Sequence, residues 1–170
     1  AGACVIGWEA VADRLGKAVS ARAAKRTVVT IECYTGVHAA EIAEALKVLN
    51  PVRGVCSSDA FLAAEVIDAK VAPFNGGDDP VFGWMTNLRI ADFMDAAKVT
   101  SLAAEVEQIQ DGLVIVIGNG ASLIHAGDIL VYADLARWEA QLRMRRDEIS
   151  NLGIDNKDLK WSLQYKRAYF

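Results

Sequence analysis

The chain has 170 residues, 53% of them hydrophobic and 24% charged, so it can fill one core, which disfavours a disordered tail and a two-domain enzyme. With 18 basic against 22 acidic residues the net charge is -4, and no global field draws it to nucleic acid or an anionic membrane. Three cysteines without CxxC spacing (Cys4, Cys33, Cys56) and two separated histidines (His38, His125) offer neither a disulfide framework nor a zinc site.

In chain order, the spacing of Trp8, Val11, Ala12 and Leu15 predicts a first helix, followed by a basic extension over Lys17 to Arg26. Thr27 to Ile31 is a β-branched run apolar on both faces, the pattern of a parallel strand covered by helices on either side. Tyr34, Thr35 and Gly36 form a turn, and His38 to Leu49 a helix closed by Asn50 and Pro51. Arg53 to Cys56 reads as a short strand, Ser57 to Lys70 as helix, and Pro73 to Pro80 as a loop dense in Gly, Asp and Asn. Phe82 to Thr86 is expected as strand, and Ile90 to Gln110 as an interrupted helical region. Leu113 to Ile117 and Ile129 to Tyr132 read as strands, and Leu135 to Ile149 as a long helix. The alternation predicts an α/β doubly wound three-layer sandwich with a mostly parallel sheet. No apolar run reaches membrane-spanning length and no signal-peptide order opens the chain, so the expected location is cytoplasmic. A start without Met and an end on Tyr169 and Phe170 suggest a domain cut from a longer chain.

Ligands in such sheets bind beyond the carboxyl ends of the strands. The turn Tyr34, Thr35, Gly36, Val37, His38 has the position of a P-loop at a helix start, where free amides can hold phosphate. In the GxxxxGK[ST] frame, however, Ile31 stands at the first Gly, Val37 at the Lys and His38 at the hydroxyl. The missing ammonium removes a main electrostatic contribution to phosphoryl transfer, so the turn reads either as a degenerate phosphate loop or as a plain strand-to-helix turn. Ser57, Ser58 and Asp59 are placed to cap a helix or to touch a ligand. Gly118, Asn119 and Gly120 would let backbone approach a ligand, and Asp134 is placed as a helix cap. Arg137, Arg143 and Arg146 share the last helix with Glu139 and Glu148, forming an ion-paired face or an anion grip.

Taken together, VVTIECYTGVHAAEI, GLVIVIGNGASLI and DILVYADLARWEAQLRMRR resemble bacterial class I mannose-6-phosphate isomerase-like proteins, in which such a segment precedes a cupin-type isomerase domain. More remotely the chain looks like the uridine kinase and phosphoribulokinase branch of P-loop NTPase folds, whose late helix carries arginines that close over nucleotide; Arg143 and Arg146 sit in the matching region. The resemblance implies a single kinase-like domain over residues 1–170 with a cupin-type partner domain on the same parent chain. Any zinc would belong to that absent isomerase half, since two separated histidines cannot hold it. The domain itself needs no cofactor on this reading, and its ligand would be a nucleotide or sugar phosphate. The expected function is non-catalytic: binding a phosphorylated ligand or packing on the isomerase domain. The alternatives are a kinase with an unusual loop, using Glu32 or Asp59 as base, and a purely structural partner.

Overall fold

The computed structural model describes residues 4–79 and 82–167. Four strands, β1 (Arg26–Cys33), β2 (Arg53–Cys56), β3 (Gly112–Gly118) and β4 (Ile129–Ala133), form one sheet in the order β2-β3-β1-β4. Every pairing is parallel, with Val29 opposite Ile115 on one side and Ile129 on the other. The central pair is formed by the two runs without charged residues, because a strand buried on both faces needs apolar side chains at every position. Val28 and Val114 are fully buried, and Thr27 to Ile31 and Leu113 to Ile117 are buried throughout.

Helices cover both faces. On one, α1 (Trp8–Ala21) and α2 (Ala39–Ala45) bring Ala12, Ile42 and, just past α2, Leu46 against Val29, Ile31, Ile115 and Ile117. On the other, α4 (Ala96–Gln108) and the short α5 (Ala121–Ile124) pack Val106 and Ile124 on Val28, Val55, Val114 and Val116. The result is a three-layer α/β arrangement. α3 (Ala64–Val71), α6 (Arg137–Arg145) and α7 (Trp161–Arg167) build two smaller apolar clusters beside it.

Several local expectations are corrected. Lys17 to Ala21 continues α1 instead of forming an extension, since its polar residues sit on a helix whose other side packs on the sheet. Ser57 to Lys70 is not one helix: a 3-10 turn over Ser57–Ala60 is followed by Phe61, which bridges to Met94 before α3 begins. Phe82 to Thr86 is not strand. It tucks beside Phe74 instead, with the Trp84 amide donating to the Phe74 carbonyl (2.7 Å), and leaves Phe82 and Trp84 exposed. α6 covers only part of Leu135 to Ile149, because Asp147 takes a left-handed conformation (φ 56°). Asp134 does not cap it: the N-cap is Ala136, and the Asp134 carboxylate accepts from the adjacent Leu135 amide (2.8 Å). Asn50 closes the turn after α2 as expected, at φ 51°. No helix of the described residues is long and apolar enough to cross a membrane.

Candidate functional site

β1 and β3 lie side by side inside the sheet, and the chain leaves β1 toward β2 on one side and leaves β3 toward β4 on the other, which makes the adjoining carboxyl ends of β1 and β3 the switch point where such sheets bind ligands. The strand runs further than the phosphate-loop frame allows. Glu32 and Cys33 remain in the ladder, paired with Tyr132 and Ala133, and the Tyr34 amide donates to the Ala133 carbonyl (2.9 Å). The loop is therefore only Tyr34 to His38, and the Val37 amide closes a turn on the Tyr34 carbonyl (3.1 Å).

This short loop is a wall between two clefts, with Val37 and His38 lining both. The smaller, about 330 Å³, is the more polar of the two: Thr35, Asn119, Glu148, Ser150 and Asn151 face it together with Phe61, Ile149 and Leu152. The larger, about 570 Å³, descends between α1, α2 and β4 over Leu15, Ile42, Leu46, Val131 and Ala133.

Side chains singled out from the sequence meet here, Arg143 and Arg146 as members of an ion-paired face. Arg143 Nη1 donates to the Gly36 carbonyl (2.8 Å), and Arg143 Nε to Glu139 Oε1 (3.2 Å). Arg146 is held by Glu139 (3.0 Å) and Glu148 (2.6 Å). Arg146 hydrogen bonding holds the Glu139 and Glu148 carboxyls below the usual carboxylate range, with Arg143 adding to the effect on Glu139. Two arginines thus face two carboxylates, and the group braces α6 against the loop. Arg137 is exposed in the first turn of α6 and lines neither cleft.

Glu32 is committed to structure. Its Oε1 accepts from the Gly120 amide (2.6 Å), and its Oε2 from the Ser122 amide (2.9 Å) and hydroxyl (2.7 Å), so it caps α5 across the sheet. Asn119 Nδ2 donates to the Cys33 carbonyl (2.7 Å), which ties the ends of β1 and β3 together. Of the Gly118–Gly120 turn, only Asn119 reaches a cleft: a Cβ on Gly118 would overlap Ser57, and one on Gly120 would crowd Ile90 and Met94. Ser58 and Asp59 are exposed beyond β2, and neither lines the two clefts. The 3-10 turn they occupy has no side-chain cap.

Burial pushes the Cys33 thiol up to about 11, so it is a neutral core group and not a nucleophile. Sequence reasoning missed the wall formed by Glu148 to Gly153. It is held by Asn151, whose Nδ2 donates to the Gln164 carbonyl (3.1 Å), and by Asn156, whose Nδ2 donates to Asn151 Oδ1 (2.8 Å). The signal that could have found it is the run of Asn and Asp through and just past it, Asn151, Asp155, Asn156 and Asp158, which marks a hydrogen-bonded loop. Among the described residues no group of three His, Cys, Asp or Glu side chains is arranged to hold a metal.

Fold and clefts define a three-layer α/β domain with a braced loop at its switch point. A family model matches residues 7–170, and the chain belongs to that family, a domain of unknown function (DUF8485). No curated protein matches the chain, and no solved structure does.

Proposed function

We propose that this chain is a non-catalytic, P-loop-kinase-like domain of a mannose-6-phosphate isomerase-like protein, and that it works by packing on the cupin-type isomerase domain of its parent chain. The observation that carries this reading is the state of β4. Its outer edge has no partner strand among the described residues, and Leu130 and Tyr132 on one face are 62% and 59% exposed. Between Asp128 and Asp134 the strand carries no charged side chain and no proline, and an apolar edge of this kind is a template for further packing. The non-catalytic part is supported by the loop: it has no lysine, Glu32 is engaged by three donors, and the arginines are matched by carboxylates.

Hydrogen exchange tests the packing. The β4 amides that point away from β1 should exchange quickly in the 170-residue chain and be protected in the parent protein; equal exchange of those amides in both would refute it. Coupled kinase, ATPase and isomerase assays with magnesium or zinc should stay at background. A second reading, binding of a phosphorylated ligand without turnover, is favoured by the polar cleft where Thr35, His38 and Asn119 converge. Calorimetry with ATP, GTP, mannose 6-phosphate and fructose 6-phosphate, with and without magnesium, separates the two.

A further inference from the structure

We infer that the larger cleft, between α1, α2 and β4, is a binding site for an uncharged, elongated amphiphile. Its volume, about 570 Å³, lies within the range of small-molecule sites, which are mainly apolar with a few polar groups to set orientation. The lining runs along α1 from Trp8 to Ala18, which at 1.5 Å per residue is a length of roughly 15 Å. The floor is Ile31, Ile42 and Leu46, and the outer wall is Val131 and Ala133 of β4. This is the face of β4 opposite Leu130 and Tyr132, so the inference stands apart from the packing reading.

Polar groups gather at the end near the loop. His38, Glu41, Asp134 and Arg143 stand there, with Arg14 further down α1. Counting Arg14, the lining carries two arginines and two carboxylates and so no net charge, and along the cleft neither a phosphate nor an ammonium head finds an excess of opposite charge. A charged head would also lose hydration against an apolar floor, which is costly without a dedicated partner. Glu41 is further tied to the rim, where its Oε1 accepts from the Trp8 indole (3.0 Å). A hydroxyl or amide head fits this mouth, with donors and acceptors both at hand, while an aliphatic or aromatic body fills the groove. Because Val37 and His38 separate the two clefts, this ligand class is distinct from a phosphorylated ligand in the polar cleft.

The test uses N-phenyl-1-naphthylamine, an uncharged apolar fluorophore, titrated into the 170-residue chain. Saturable enhancement at one probe per chain is expected. Ala18→Trp at the far end of the groove and Val131→Trp in its wall should each weaken binding at least tenfold. Ala97→Trp, on an exposed position of α4 across the sheet, should leave it unchanged. Anilinonaphthalene sulfonate should bind at least tenfold more weakly than the uncharged probe. Absence of saturable binding, equal loss in Ala97→Trp, or tighter binding of the sulfonate would each overturn the inference. So would light scattering that shows a dimer dissociated by Ala18→Trp, since a second copy would then fill the groove.

Discussion

Gly36 reports whether the loop after β1 is braced or open. It has φ +89°, and a Cβ there would stand 2.9 Å from Ile149 Cδ1 and 3.2 Å from Leu135 Cδ2. Gly36→Ala therefore combines two effects. Backbone strain at positive φ costs an L-residue about 1–2 kcal/mol. Crowding a packed site adds about 1–3 kcal/mol, for a sum of about 2–5 kcal/mol. Gly7 is the control, because it has the same φ and a Cβ there would meet nothing within 4 Å. Gly7→Ala should lose only the strain and a small capping effect, about 1–2 kcal/mol. Urea denaturation followed by circular dichroism should show a lower midpoint at unchanged slope for both, with the larger drop for Gly36→Ala. Equal losses would refute the reasoning, since the loop would then stand clear of Leu135 and Ile149, as an open phosphate loop must.

Four further outcomes follow from the same geometry. Glu32→Ala removes three hydrogen bonds and strands the Gly120 and Ser122 amides, so it should destabilise the domain by about 2–3 kcal/mol; a loss under about 0.5 kcal/mol in urea melts would sink the capping role. Val37→Lys should not tighten phosphate binding in calorimetry, because Glu32 and Cys33 stay in the ladder and the loop cannot wrap an anion; a gain would show that it can. With a thiol reagent at pH 8, exposed Cys4 should react at once and Cys33 only on unfolding. The buried thiol titrates near 11, above its ordinary 9.0, so its contribution to stability is complete below about 9 and lost as pH rises through about 11; Cys33 labelling at the rate of Cys4 would contradict this. The Glu139 and Glu148 carboxyls titrate below the usual range when folded, so their contribution is present above about pH 4.3 and fades as pH falls. Near-ultraviolet circular dichroism of the α6 region should therefore change in acid, and Arg146→Gln should flatten that change.

Much of the layering was legible in local pattern. Thr27 to Ile31 and Leu113 to Ile117 lack charged residues because both faces of a central parallel strand are covered, and this burial leaves its mark residue by residue. The spacing of Ile42, Leu46 and Leu49, and Asn50 at a left-handed stop, likewise mark a helical stretch and its end without reference to the rest of the chain. Tertiary structure alone decided the rest. Phe82 to Thr86 has strand composition but joins no strand among the described residues, because the chain is held there beside Phe74, where the Phe74 carbonyl takes the Trp84 amide, and propensity by itself supplies no partner. The arginines at and just past α6 read in sequence as an ion-paired face or an anion grip. The Glu139–Arg143 pair is local helix spacing, whereas only the fold brings Arg143 to the carbonyl of Gly36, 107 positions away. Glu32 could have been a base until the strand order laid β3 beside β1 and turned the amides of Gly120 and Ser122 onto it. Periodicity reports which face of an element is buried, whereas the partner of a polar side chain is fixed by strand order and register, which no local window of the sequence contains.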